Sequence, residues 1–528
     1  VRERLVNRTL NPRLDNLPEK FQGFPEYQRA AITEIVEAFD LGATVVVCDA
    51  PTGSGKTVIA EAVRLMLGVD GAYVCHSKNL QDQFVGEFAY ASVLYGRANY
   101  TPINPIMDAT CDDCTENCGL CPSKSVCPYQ LAKMEAVRAP VAVINSALWL
   151  SAVQTPRHWL SRRGITVFDE ADTLEGVLMG QAEIVISPRM QERYKIPPPA
   201  RMTKTEAYGD WARGALERLR RAYRGVRGDS DIRKAREKRR LGKLIENVEL
   251  LLREQEEGRE WVYTGGAGSD RRTGEYISFK PVSVESLGPT RIWRHSQRFL
   301  LMSGTVVSAG MMLRGLGYGG DYSEVRVPSQ FPAKNRQVIV RPIADMTRAG
   351  QSSSPDCLNN LLKAIVSILE SHEGVRCLIH TVSYRLGKQI SDALVGAVDR
   401  RVVTYADSAG KSAALAQYLA APDAVLVAAS LDRGVDLFDE RCRVQIICKV
   451  PFLSLGDKQT AARLYSEGGK VWYNVEVART VQQMVGRGVR HASDYCVTYV
   501  LDSHFLKWRR DWGHLFPKWF DRAIRVET

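Results

Sequence analysis

The chain has 528 residues, too many for one hydrophobic core, so two to four domains are expected. Apolar and charged fractions of 45% and 25% are those of an ordinary soluble globular protein. No apolar run approaches the roughly 18 to 20 residues needed to span a bilayer, and the N-terminus is charged rather than signal-like, which excludes a membrane-spanning chain and predicts an intracellular one.

The first predicted element is the apolar strand Thr44 to Cys48, followed by Asp49-Ala50-Pro51-Thr52-Gly53-Ser54-Gly55-Lys56-Thr57 and an apolar helix from Val58 to Leu67. A strand running through a glycine-rich turn into a helix start aims several backbone N–H groups at one point, which suits polyphosphate. Lys56 is placed to reach the β and γ phosphates and Thr57 to offer its hydroxyl to Mg²⁺. Gly53 and Gly55 let the backbone approach closely. Ala50 stands where the pattern usually has its first glycine, and it serves the same turn. An ordinary Gly/Ser turn before a helix is the bland alternative.

A strand at Ala72 to Cys75 follows, and then a segment where the pattern lapses: Cys111-x2-Cys114-x3-Cys118-x2-Cys121-x5-Cys127-Pro128-Tyr129. Five thiols stand where a tetrahedral metal or a cubane needs four. A zinc site usually pairs two Cys-x2-Cys hairpins across a dozen or more residues. Closely spaced thiols ending in Cys-Pro look more like iron–sulfur ligation, with zinc and unligated thiols as alternatives. The other seven cysteines, at 48, 75, 357, 377, 442, 448 and 496, lie mostly in apolar runs and read as core.

Strands at Val141 to Ile144 and Ile165 to Phe168 come next, the latter ending in Asp169-Glu170-Ala171-Asp172. At a strand tip Asp169 can hold the Mg²⁺ shell while Glu170 orients and deprotonates the attacking water. A helix start with acidic first-turn residues is the alternative. Residues near 185 to 285 then become long, charged and helical, ending in Gly265-Gly266-Ala267-Gly268. Between Arg213 and Lys243 there are thirteen basic and four acidic residues, so this one segment supplies most of the net charge of +11. Such a run is either a solvated face or a surface that meets phosphate backbone.

A strand at Phe299 to Met302 completes the first set of β-α-β units. A second set runs through Gln337 to Val340, Cys377 to Ile379, Arg401 to Val403, Ala424 to Val427, Val444 to Cys448 and Cys496 to Leu501. The alternation predicts an α/β fold with two parallel sheets in two lobes. Gln482-Gln483-Met484-Val485-Gly486-Arg487-Gly488-Val489-Arg490 places Arg487 and Arg490 three apart, hence on one face of a helix, facing spread-out negative charge. Gln483 is grouped with them as a catalytic candidate.

In this order the motifs resemble those of the superfamily 2 helicases. Phe24-Pro25-Glu26-Tyr27-Gln28 is similar to the adenine-reading segment, Ser77-Lys78-Asn79-Leu80 to the first nucleic-acid motif, and Ser303-Gly304-Thr305 to the coupling motif. Leu431-Asp432-Arg433-Gly434-Val435-Asp436-Leu437 resembles motif V, which makes Gly434 and Asp436 nucleotide-binding candidates beside Gln28 and residues 50 to 57.

A cysteine insertion between the first nucleic-acid motif and the Asp-Glu strand, with a helical insertion after that strand, is the layout of the XPD/DinG family of DNA helicases. Gly96-Arg97-Ala98-Asn99-Tyr100, Cys127-Pro128-Tyr129, Val143-Ile144-Asn145-Ser146-Ala147-Leu148, Pro328-Ser329-Gln330-Phe331-Pro332 and Lys449-Val450-Pro451-Phe452 look like family segments. Three departures stand out: Thr101 where the family commonly has a cysteine, Arg433 where it usually has glutamate, and Asp-Glu-Ala-Asp in place of a motif ending in histidine. The last two are similar to the DEAD-box RNA helicases.

The resemblance implies two RecA-like motor domains: the first from 1–94, 136–184 and 286–328, with an iron–sulfur insertion at 95–135 and a helical arch-like insertion at 185–285, and the second at 329–528. It implies ATP, Mg²⁺ and a [4Fe-4S] cluster on four of the five clustered cysteines. The expected activity is ATP-driven 5′ to 3′ translocation by a monomer on single-stranded DNA, with tailed or forked duplex, or DNA–RNA hybrid, as substrate. The setting would be repair, recombination or replication, in the cytoplasm and on the nucleoid of a prokaryote or virus, or in a eukaryotic nucleus. Arg97, Tyr100 and the stretch Arg233 to Arg240 are candidates for strand contact. An RNA or hybrid helicase, a zinc-bearing translocase without strand separation, and a non-catalytic binding subunit are the rival readings.

Overall fold

A computed structural model describes residues 14–527 except 15, 22, 104–108, 115–122, 156–157, 200–205, 227–231, 268–274, 355, 408, 430, 432–436 and 492. Gly434, Asp436, Cys118 and Cys121 thus lie outside the described residues.

The first lobe is built on strands β1 (Val45–Asp49), β2 (Gly71–Cys75), β3 (Ala91–Val93), β4 (Val141–Asn145) and β5 (Ile165–Asp169). The insertion after β5 contributes β6 (Ile184–Ile186), β7 (Trp261–Tyr263), β8 (Gly266–Ala267) and β9 (Glu275–Pro281), before β10 (Phe299–Ser303) and β11 (Ser323–Arg326) return to the lobe. The lobe sheet runs β11-β1-β10-β5-β2-β4-β3, and every pairing in it is parallel. Both faces are covered, so the strands are near-continuous apolar runs. Val45 and Val47 pack into one core layer, and Val46 and Cys48 into the layer on the other face.

The second lobe repeats the plan with β12 (Val338–Ala344), β13 (Cys377–His380), β14 (Val402–Thr404), β15 (Val425–Ala428), β16 (Val444–Ile447), β17 (Val497–Asp502) and β18 (Ile524–Val526). Its order is β14-β15-β13-β16-β17-β12-β18, again all parallel. All seven unclustered cysteines are buried, as their apolar neighbours require. Trp508 packs into this lobe's core against Phe505 and Phe516.

The insertion expected to be helical is only partly so. Its two long helices, Glu206–Gly225 and Ile232–Glu256, are flanked by the strands of an antiparallel sheet in the order β6-β9-β7, with β8 on β9. The reason is local: Trp261-Val262-Tyr263 and Tyr276-Ile277-Ser278-Phe279 are short aromatic and β-branched runs, which favour a pleated surface. Trp211, Leu219, Leu244 and Val248 join Trp261 and Phe279 in the core layer that also holds Val45 and Phe168, so the insertion is rooted in the first lobe. Asn247 secures that root by donating to the carbonyls of Gln181, at 3.0 Å, and Glu183, at 2.8 Å. Among the described residues no helix is long and apolar enough to cross a membrane.

Parallel register decides where chemistry can occur. Asp49 lies opposite Ser303, and Met302 opposite Asp169, so the ends of β1, β10 and β5 share one edge of the sheet. Open α/β sheets place their ligands at that carboxyl edge.

Candidate active site

At the end of β1 the chain turns through Gly53 (φ +78°) and Gly55 (φ +80°) into the helix Lys56–Leu67. Both glycines are in the left-handed region, and neither site has room for a side chain. A Cβ on Gly53 would sit 2.2 Å from Phe331 Cζ, and one on Gly55 2.4 Å from Gln28 Nε2. Gln28 donates from Nε2 to the Ser54 carbonyl at 2.9 Å, so the predicted adenine-reading glutamine also braces the loop. Ala50 is fully buried, with its N–H on the Ser303 carbonyl at 2.9 Å. Ser54 N bonds back to Pro51 O at 3.1 Å, closing the turn that carries Thr52.

Lys56 Nζ stands 3.7 Å from Glu170 Oε1. Burial pulls the Lys56 pKa down, but the carboxylates of Glu170, Asp169 and Asp172 outweigh burial and the opposing charge of Arg490, leaving it raised. The ammonium therefore stays charged at any physiological pH. Glu170 takes a left-handed backbone (φ +53°), an uncommon conformation for a residue with a side chain. Its N–H bonds to Asp169 Oδ1 at 3.0 Å.

Tyr73, read from sequence only as part of a core strand, donates its hydroxyl to Asp169 Oδ2 at 2.9 Å. The Thr57 hydroxyl bonds to the same phenol oxygen. One buried tyrosine thus ties together the two predicted Mg²⁺ ligands. Burial first, and the Asp169 charge second, hold its pKa well above the ordinary tyrosine value, so it remains a donor. Nothing in the local pattern of β2 marks this role.

Asp172 is the second feature that sequence reasoning left without a role. Its carboxylate accepts from Ser303 Oγ at 2.7 Å on the first lobe and from Gln483 Nε2 at 3.1 Å on the second. Gln483 Nε2 also reaches Thr305 Oγ1 at 3.0 Å. Arg479, buried, lies 3.8 Å from Asp172 and donates to the Thr305 carbonyl at 3.2 Å. Beneath these contacts a Cβ on Gly304 would lie 3.4 Å from Ala50 O and 3.7 Å from Lys56 Nζ, so the Ser303-Gly304-Thr305 segment rests on the phosphate loop. Gln483, expected among the catalytic groups, also bridges the lobes.

The expectation that Arg487 and Arg490 share a helix face is corrected. The helix Gly469–Val485 ends at Gly486, and both arginines lie in the turn beyond it. Gly486 and Gly488 do not continue a helix well, and a Cβ on Gly488 would strike Cys496 Sγ at 2.3 Å. The turn is held by Asp494, which accepts from Arg490 N at 3.0 Å and pairs with Arg443 at 2.6 Å. Arg487 is buried, and the Arg490 carbonyl lies 3.0 Å from a Cβ built on Gly53. The second lobe therefore brings this turn onto the phosphate loop of the first. The loop, carboxylates and arginine turn suit a nucleoside triphosphate with its metal ion: a glycine cradle, one held ammonium and hard oxygen donors at one sheet edge.

Of the clustered cysteines, Cys111, Cys114 and Cys127 are described, and Cys111 lies near enough to feel the other two thiols. Burial, then the neighbouring Cys127 and Cys114 thiols, push Cys111 up to about 11. Cys111 N bonds to Tyr100 O at 2.7 Å, and Arg97 Nε to Cys111 O at 3.1 Å. Tyr100 packs edge-on to Tyr129 at 5.6 Å, so the two strand-contact candidates Arg97 and Tyr100 also shape the thiol pocket. Within the basic stretch, Arg236 pairs with Asp113, and Arg239 with Asp112 at 2.7 Å. These two arginines, grouped with the strand contacts, join the helical insertion to the cysteine insertion.

Residues 365–523 match the family model for a helicase C-terminal domain, and residues 23–112 that for the res subunit of type III restriction enzymes. Across an alignment covering 97% of this chain and 96% of the relative, the sequence is 21% identical to the ATP-dependent DNA helicase YoaA of Haemophilus influenzae. A stretch of 105 residues, 16% of this chain and 10% of the relative, is 35% identical to a regulator of telomere elongation helicase 1 homolog of Drosophila ananassae. Among solved structures, an XPD helicase superposes with a TM-score of 0.64 at 15% identity, covering 96% of this chain and 100% of that one.

Proposed function

We propose that this chain is an XPD-like superfamily 2 helicase that hydrolyses ATP and translocates 5′ to 3′ along single-stranded DNA, unwinding tailed or forked duplex and DNA–RNA hybrid in repair, recombination or replication. The observation that carries this reading is Asp172. One carboxylate beside the hydrolytic Asp-Glu pair holds both the coupling segment of the first lobe and Gln483 of the second. A change at the phosphate loop is then mechanically linked to movement between lobes, which a passive binding subunit does not need.

In this mechanism the N–H groups of the Gly53 to Lys56 turn hold the β and γ phosphates, and Lys56 neutralises their charge. Thr57 and Asp169 would hold Mg²⁺, oriented by Tyr73, and the ion would supply positive charge to offset that of the phosphates. Glu170, set by its unusual backbone, orients the attacking water and takes its proton. Arg487 and Arg490 stabilise the charge spread over the transferred phosphoryl group. Outside the described residues, Gly434 and Asp436 are assigned to the nucleotide as well.

We assign 95–135 as the cluster insertion, 185–285 as the arch-like insertion and 329–528 as the second motor domain of a monomer. Cys111, Cys114 and Cys127, with Cys118 or Cys121, would hold a [4Fe-4S] cluster, which would cross-link a segment too short for its own apolar core. The neighbouring thiols are the donor type a thiolate-bound metal group takes, and their close spacing in sequence favours the cluster over zinc.

The test is ATP hydrolysis with and without single-stranded DNA, with strand displacement on duplexes bearing 5′, 3′ or RNA tails. Stimulated hydrolysis and displacement from 5′-tailed DNA are expected, and Glu170→Gln should abolish both. Displacement confined to 3′ tails overturns the polarity, and activity only on RNA tails overturns the substrate.

A further inference from the structure

The core of the second lobe holds two polar side chains that its packing does not require. Gln445 lies within β16, which runs between β13 and β17 in the sheet, and His380 ends β13. Both are buried, at 0% and 1% exposure, and every other residue of these two strands is apolar. Burying an amide or an imidazole is unfavourable unless hydrogen bonds replace those made with water. Gln445 Nε2 donates to the Val485 carbonyl at 3.3 Å and reaches Cys496 Sγ at 3.5 Å, while Oε1 lies 3.0 Å from His380 Nε2. Because the amide nitrogen faces a carbonyl, the amide oxygen is left for the imidazole. His380 Nε2 therefore carries a proton and donates.

Val485 is the last residue of the helix Gly469–Val485, and the last carbonyls of a helix have no partner within it. Arg487 and Arg490 follow in the turn beyond, so the point where the helix stops sets where both stand. Gln445 also underlies that turn: a Cβ on Gly488 would lie 3.3 Å from Gln445 Nε2 and 2.3 Å from Cys496 Sγ. The same turn rests on the phosphate loop through the Arg490 carbonyl beside Gly53. An apolar residue at 445 would fill the core without holding the Val485 carbonyl. His380 anchors the pair in turn, since its own carbonyl accepts from Cys448 N at 3.0 Å.

We infer that Gln445 and His380 are positioning residues for phosphoryl transfer, which fix the end of the helix and thereby aim Arg487 and Arg490 at the transferred group. This role rests on the assignment of the two arginines to the transition state and adds what holds them there. Both side chains act through the turn. A displacement of the arginines by about 1 Å is enough to cost on the order of 10²-fold in rate.

The test uses the full-length protein with Gln445→Leu, which keeps the bulk and loses the hydrogen bonds, and with His380→Leu beside His380→Gln. On saturating single-stranded DNA, kcat for ATP hydrolysis should fall about 10- to 100-fold in both leucine variants. His380→Gln, which still carries an N–H donor, should keep most of it. Affinity for ADP should be unchanged, whereas affinity for ADP with aluminium fluoride, a mimic of the transferred phosphoryl group, should fall by a factor similar to that in kcat. Equal weakening of both ligands marks a merely structural loss and overturns the proposal, as does an unchanged kcat in Gln445→Leu. Should leucine at 445 prevent folding, the two His380 variants decide in the same terms. Adding Gln445→Leu to Arg487→Ala/Arg490→Ala should cost little more, because the pair acts through those arginines. A further independent loss of the same size overturns the role. If the arginine variant itself hydrolyses ATP normally, the arginine assignment fails and the positioning role with it; if it is impaired while Gln445→Leu is not, only the positioning role fails.

Discussion

Tyr73 joins the two side chains assigned to Mg²⁺, and removing its hydroxyl isolates that role. Tyr73→Phe keeps the ring in its core layer and loses a hydrogen bond to a charged group worth about 1.5–3 kcal/mol. The Mg²⁺ concentration giving half-maximal ATP hydrolysis should rise by roughly tenfold or more, with the melting temperature little changed. Glu170→Gln should instead lower kcat by about 10²- to 10⁴-fold at nearly constant KM, because a water-activating base acts only in the chemical step. Asp49 offers a pH-dependent check on the same strand end. Burial, against the help of Arg326, lifts its pKa to about 6. A carboxyl raised in the folded state stabilises the fold at low pH, and that contribution is lost as pH rises through about 6. Asp49→Asn should therefore raise urea stability at pH 7.5, on the order of 1–3 kcal/mol, with the gain vanishing below about pH 4.

At the level of elements, the clamp between insertions is the informative feature. Asp113 is almost fully buried, and the Arg236 guanidinium bonded to it holds its pKa far below the usual carboxylate range. A lowered carboxyl contributes stability at neutral pH that is lost only as pH falls through that depressed value. Asp113→Asn should loosen the cysteine insertion without unfolding the lobes. Since Arg236 is exposed, the loss is about 1 kcal/mol, a roughly fivefold faster proteolytic cleavage within residues 95–135. The arginine turn after Val485 carries a related lesson: its two arginines were recognisable, but their geometry was not. A 3-residue spacing means a shared face only while a helix continues, and Gly486 with Gly488 stops it.

For the whole molecule, the proposed coupling rests on contacts between lobes made by residues more than 300 positions apart, such as Asp172 with Gln483. Gln483→Ala withdraws a donor from a buried carboxylate and from Thr305, a cost of about 1–3 kcal/mol. The ratio of DNA-stimulated to unstimulated hydrolysis should fall about 5- to 150-fold, measured at saturating ATP. A further lobe contact, Glu175 with Arg463 at 2.5 Å, lies beside Gly315, where a Cβ would press to 2.8 Å on the carboxylate. Closure is thus fitted to glycine at positions that no local motif marks.

What the amino-acid order determined by itself is whatever one short segment can specify. The phosphate loop needs only consecutive N–H groups, two glycines and a lysine. The Asp169-Glu170 strand tip and the alternation of strands and helices are equally local, so all were legible. The three-dimensional fold decided everything that depends on strand register and lobe approach: Tyr73 between Thr57 and Asp169, Gln28 and Phe331 against the glycines, and Asp172 between lobes. Those contacts join distant segments through the parallel sheet edge, and a periodicity of two or 3.6 residues says which face a side chain takes but not what it will meet there.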